Sequence, residues 1–109
     1  MAKRKPSTRW KLPSHTDVMG KRWKVRQVET IGKNEDDEDE LGESDGSSFT
    51  ITIAAKHHKS QAAVDSTLFH EEIHAVLFMT GQSELLDSKQ EEALVVALEN
   101  GLSTKYRRR

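Results

Sequence analysis

Two histidines, His70 and His74, enclose a glutamate in the order His-Glu-x-x-His. On an α-helix, residues i and i+4 lie one turn apart on the same face, so both imidazoles can meet one metal ion. Glu71 falls about 100° round the helix from His70. That places it beside such an ion, where it can take a proton from a water acidified by the metal. The plainer alternative is an amphipathic helix that happens to carry histidines. Against it, the two rings occupy the face otherwise used by Ile73 and Leu77, and burying both without partners costs several kcal/mol.

The motif needs a helix, and its surroundings supply one. Ala62, Ala63, Leu68, Ala75, Leu77 and Met79 favour helix, no proline interrupts, and Gly81 offers a stop, so a helix is expected from about Ser60 to Thr80. A second helix is expected from Asp87 or Ser88 to about Thr104, with Leu94, Val95, Leu98 and Leu102 as its apolar stripe. A metallopeptidase centre needs a third ligand and an open position for water. With Glu91 at zero on the helical wheel, the stripe falls within about 60° either side, whereas Glu92 and Glu99 lie about 80–100° away. Glu91 is therefore the favoured third ligand and Glu92 the reserve. Two capping patterns compete for this turn: Ser88-x-x-Glu91, which would engage Glu91 in the cap, and Asp87-x-x-Gln90, which would not. Two imidazoles and a carboxylate suit Zn2+, with manganese or nickel as alternatives.

Upstream, Arg22–Glu29 alternates as a half-buried strand with a slip at Val28, and Phe49–Ile53 is a β-branched strand with Phe49, Ile51 and Ile53 on one face. Antiparallel pairing of the two across an exposed acidic loop, residues 33–46, is expected. The run Glu35–Glu40 lacks the spacing of a calcium loop and reads as solvated charge. His57 and His58 lie in a polar connector and read as solvated, with metal ligation as the sharper alternative. Residues 1–19, with both prolines and a basic cluster, are expected to form a flexible arm; residues 20–104 form the domain and residues 105–109 a basic tail. The fold class is thus α+β: a small antiparallel sheet packed on the metal helix and a glutamate-bearing helix.

The 109 residues carry 17 Lys and Arg against 18 Asp and Glu, a net charge of −1, so no global field favours nucleic acid or membrane. Contact of the basic ends with nucleic acid is a weaker expectation. There is no cysteine, which leaves His, Asp and Glu as metal ligands. Lys3-Arg4-Lys5 is not followed by an apolar run, so secretion through a signal peptide is not expected, nor is a membrane span.

Thr67-Leu68-Phe69-His70-Glu71-Glu72-Ile73-His74-Ala75, followed by Glu91-Glu92-Ala93-Leu94-Val95-Val96-Ala97-Leu98, resembles the small HExxH proteins encoded by tailed phages and prophages. The resemblance spans residues 22 to about 103, and Leu41-Gly42 before the Phe49–Ile53 strand fits it. It implies a minimal gluzincin-like fold in which His70, His74 and Glu91 hold zinc and Glu71 is the general base. It further implies that the strand Phe49–Ile53 lies at an edge and receives extended substrate. An oxyanion-stabilising Tyr, His or Arg is usual in zincins; Tyr106, His57 and His58 are the candidates. The resemblance places the protein in the host cytoplasm, with incorporation into a virion as a further expectation. Two functions follow: a zinc-dependent metallopeptidase acting on a peptide or protein substrate, or a non-catalytic zinc-stabilised protein of a phage particle or larger phage assembly or of host takeover.

Overall fold

Met19 and Gly20 both adopt positive φ, 52° and 84°, and this two-residue turn joins β1 (His15–Val18) to β2 (Lys21–Val28) as an antiparallel hairpin. The computed structural model describes residues 10–103. The chain then builds β3 (Gly42–Asp45), β4 (Thr50–Ala54), α1 (Gln61–Met79), a 3-10 turn (Gln82–Glu84) and α2 (Ser88–Leu102). The four strands form one mixed sheet in the order β1-β2-β4-β3.

The fold is α+β as expected, but the sheet is not purely antiparallel. β2 and β4 pair in parallel, with Val25 opposite Ile51. The acidic segment does not fold back directly from β2. It first crosses to the far edge, where Gly42–Asp45 becomes β3, and β4 then returns antiparallel to β3 between that strand and β2. Hydrophobic alternation marks strands but not their neighbours, and the polar sequence Gly-Glu-Ser-Asp of β3 carries almost no strand signal. The loop expected over residues 33–46 therefore ends in an edge strand. Its first part is a small turn, in which the Asn34 side-chain oxygen accepts from Asp36 and Glu38 N–H.

Residues 10–18 are also not a free arm. His15–Val18 is strand β1, Trp10 Nε1 donates to the Ala55 carbonyl at 3.0 Å, and Lys11 and Gln61 exchange two bonds. Trp10 and Leu12 pack on the core. These apolar side chains explain the docking, since they bury surface that a solvated arm would expose. Residues 1–9 and 104–109, which hold the rest of the expected arm and the basic tail with Tyr106, lie outside the described residues.

α1 lies on one face of the sheet, packing Val64, Leu68 and Ala75 against Trp23, Val25, Ile51 and Ile53. Trp23 is fully buried and meets Phe49 and Phe78 edge-on, at 5.5 and 6.2 Å between ring centroids. Phe49 belongs to the tight turn before β4, with φ of 49°, rather than to the strand itself. α1 starts as expected, with the Ser60 hydroxyl accepting from Ala63 N–H. α2 crosses α1 through a second, smaller cluster, Ile73, Leu77 and Val95, flanked by Phe69 and Leu98. Its cap resolves the two patterns left open by sequence: Asp87 and Gln90 form the capping box, which leaves the Glu91 side chain free to turn inward.

Candidate metal centre

Where α1 meets α2, the two helices bring His70 and His74 against three carboxylates of α2. His70 Nε2 and His74 Nε2 both lie 3.0 Å from the same oxygen of Glu92. On the opposite side of each ring, His70 Nδ1 lies 2.9 Å from Glu99 and His74 Nδ1 lies 2.6 Å from Glu91. The two rings are 5.1 Å apart between centroids. Both histidines are about one-fifth exposed, as are Glu91 and Glu99, whereas Glu92 is half exposed and faces the opening.

Hydrogen-bond arithmetic makes this arrangement informative. All four imidazole nitrogens face carboxylate oxygens, which accept but do not donate when ionised. A neutral imidazole has a single N–H, so without a cation the arrangement requires two added protons, on the rings or on the carboxyls that face them. A metal on the Nε2 side removes that requirement. The Nδ1–H groups then donate to Glu91 and Glu99, fixing each tautomer in the manner of carboxylate–histidine pairs around metals. One ligand atom from each of His70, His74 and Glu92 lies within 4.8 Å of the others. Tetrahedral bonds of about 2.0–2.1 Å hold neighbouring donors about 3.3–3.4 Å apart, a few tenths of an ångström beyond the observed 3.0 Å. The donor set is thus one that could hold a zinc-like ion.

The carboxylate placement differs from the sequence expectation. Glu91 sits behind His74 and not between the two Nε2 atoms, which face the reserve candidate Glu92. The wheel was centred on a stripe that included Leu94, but Leu94 is 38% exposed and Val95 is the one fully buried side chain of α2. Centred on Val95, Glu92 and Glu99 lie within about 60° on one side and Glu91 about 40° on the other. All three therefore reach α1. Glu99 was not expected at the site, although its spacing of seven from Glu92 puts both on one face.

Glu71 is buried at the inner end of the site. The Ser44 hydroxyl of β3 lies 2.9 Å from its carboxylate and 2.7 Å from its backbone carbonyl. Burial pushes Glu71 above the ordinary carboxylate value of 4.5, offset in part by His74, Ser44 and His70. Burial by itself lowers His70, but the bond to Glu99 and the charges of Glu92 and Glu71 outweigh it and raise the ring above 6.5. Burial likewise raises Glu92, and the two histidines reverse that, leaving it below 4.5. Two carboxyls of one site, Glu71 raised and Glu92 lowered, show the separation of proton affinities that acid–base chemistry uses.

These groups open into a cleft of about 740 Å³ between β3, the acidic turn and the two helices. β3 is the edge strand along it. Gly42 is needed there, because a Cβ would come within 2.9 Å of Thr67 and 3.1 Å of Glu71. β4 is internal to the sheet, so the edge position expected for Phe49–Ile53 belongs to β3. The two connector histidines do not line the cleft. His58 is buried, with Nδ1 2.6 Å from the Ala54 carbonyl and Nε2 2.8 Å from the Thr67 hydroxyl, and His57 lies 3.6 Å from Asp39. Among the described residues no helix is long and apolar enough to cross a membrane. Comparison of the chain with protein-family models, curated proteins and solved structures returns no match.

Proposed function

We propose that the protein is a zinc-dependent metallopeptidase in which His70, His74 and Glu92 hold the metal and Glu71 is the general base. The observation that carries this reading is the convergence of both Nε2 atoms on one Glu92 oxygen while both Nδ1 atoms are held from behind. What zinc supplies in such a site is Lewis acidity toward a carbonyl and a lowered pKa for water.

The chain's own residues do the rest. Glu91 and Glu99 hold the rings in the tautomer that leaves Nε2 free. Glu71 takes a proton from the attacking water and passes it to the leaving amine, a task suited to a carboxyl whose proton affinity is raised by burial. Ser44 fixes the orientation of Glu71. The Leu41 carbonyl accepts from Ala54 N–H, so by strand alternation Gly42 and Ser44 turn their backbone groups to the open edge. An extended peptide adding to β3 would thereby lie alongside Glu71. The resemblance to phage-encoded HExxH proteins is consistent with this reading and makes a phage-encoded origin part of the proposal.

A second reading keeps the zinc and drops the catalysis: a metal-stabilised structural or interaction protein of a phage particle or of host takeover. It is favoured by the thin contact between the helices, in which Val95 is the one buried residue from α2. A metal bridging α1 and α2 would then contribute folding energy. Glu71→Gln separates the two. The peptidase loses hydrolysis of a mixed peptide substrate, read by mass spectrometry, and keeps its zinc. Should zinc-loaded wild type leave every peptide of a broad library intact, the structural reading stands in its place.

A further inference from the structure

The cleft is lined by eight carboxylates and by no lysine or arginine, in a chain whose charges nearly balance. Three of the eight belong to α2 and one is Glu71. The other four, Glu38, Asp39, Glu40 and Glu43, form the opposite rim, running from the acidic turn into β3. Asp39 is neutralised locally by Lys33 at 3.3 Å. Glu38 accepts weakly from the Asn34 amide at 3.4 Å. Glu40 has no ion pair among the described residues; the Glu43 side chain alternates with Ser44 and so turns to the sheet face of Thr52 and Arg26, away from Glu71. The cations of β2, Lys21, Arg22, Lys24 and Arg26, are on its exposed positions and none lines the cleft; Lys21 sits over the Phe49 ring, 4.3 Å from its centroid. At one end the cleft meets the ring of the half-exposed Phe78, behind which Trp23 is fully buried.

We infer that this cleft selects an extended peptide segment rich in lysine and arginine, with Glu38 and Glu40 as the specificity-determining residues. The inference rests on the cleft being the peptide groove proposed above. Its physical basis is twofold. Unpaired rim carboxylates flanking a backbone edge attract a cationic strand and repel an anionic one. The aromatic end offers a surface for the aliphatic stem and charged head of a long basic side chain. An acidic peptide would meet like charge from the rim, and no lysine or arginine in the lining would offset it.

The test uses full-length Glu71→Gln protein incubated with zinc, so that binding is read without turnover. Three labelled peptides of equal length, differing only in whether alternate positions carry Lys, Gln or Glu, are titrated by fluorescence anisotropy at low and high salt. The Lys peptide is expected to bind roughly tenfold more tightly than the Glu peptide, with the difference shrinking at high salt and collapsing in a variant that adds Glu38→Gln and Glu40→Gln. Equal affinities, or a preference that survives in that variant, would overturn the inference. In parallel, zinc-loaded wild type is incubated with the same peptides. A retained charge preference with every peptide left intact supports charge selection while refuting the peptidase proposal. Cleavage of all three at the same rate does the reverse.

Discussion

Glu91 and Glu92 are adjacent in the sequence and opposite in role, and truncating each in turn discriminates between the arrangement in the structure and the one expected from the helical wheel. Glu92 stands 3.0 Å from both Nε2 atoms, whereas Glu91 contacts only His74 Nδ1. Structural zinc contributes about 10–16 kcal/mol of apparent binding free energy in small domains; spread over a four-coordinate shell this is about 2.5–4 kcal/mol per ligand, or roughly 10²–10³-fold in affinity. Groups that orient a ligand from behind are worth about 10–100-fold. Glu92→Ala should therefore weaken zinc by roughly 10²–10³-fold, and Glu91→Ala and Glu99→Ala by roughly 10–100-fold each. Affinities are read by competition with a chromophoric chelator. Because Glu92 is half exposed, its loss should change metal-free stability by less than about 1 kcal/mol, which circular dichroism in urea checks. A Glu91→Ala protein that binds zinc more weakly than Glu92→Ala would refute the reasoning and restore Glu91 as the ligand.

Other perturbations have equally definite directions. Glu71→Gln should lower peptide hydrolysis by about 10²–10⁴-fold while zinc content by elemental analysis stays that of wild type, since Gln still accepts from Ser44. Gly42→Ala should impair hydrolysis with zinc retained, because its Cβ would press on Glu71 and Thr67; a kinetic comparison with wild type checks it. Asp87→Ala removes the capping box of α2 and should cost about 1 kcal/mol, measured by urea unfolding of the metal-free protein. His70 is raised above 6.5 by its carboxylates, so its contribution to metal-free stability is complete below that value and is lost as pH rises through the folded pKa. Unfolding titrations of chelator-treated and zinc-loaded protein from pH 6 to about pH 9 should therefore show the gap between them widening; a constant gap would contradict the assignment.

The parts of this molecule that follow a short-range rule were readable in its sequence, and the parts set by tertiary competition were not. The motif helix follows from propensity and a serine cap, and its observed span, Gln61–Met79, lies within a residue of the expected one at each end. The β4 strand announces itself through alternating Ile and Thr. β3 does not, because Gly42-Glu43-Ser44-Asp45 becomes a strand only by completing the edge beside β4 and by letting Ser44 reach Glu71. The parallel pairing of β2 with β4 was hidden for the same reason, since it depends on β3 taking the outer position. In α2 the period was legible but its centre was not. Sequence weights Leu94 with Val95, whereas the structure leaves Leu94 at the surface and turns the helix by enough to bring Glu92, and not Glu91, against both Nε2 atoms.

That rotation has a chemical consequence for how the site can exist at all. Four imidazole nitrogens face carboxylate oxygens, so the metal-free cluster needs two added protons to satisfy its contacts. Left uncompensated, the negative charge of the carboxylates is costly in a partly buried place. A divalent cation on the Nε2 side supplies the same two positive charges with neutral rings and does not lose them as pH rises. The same carboxylates that would trap protons in the metal-free protein would thereby favour a metal, and in the proposed peptidase Glu71, buried and bonded to Ser44 rather than to either imidazole, would remain the acid–base group.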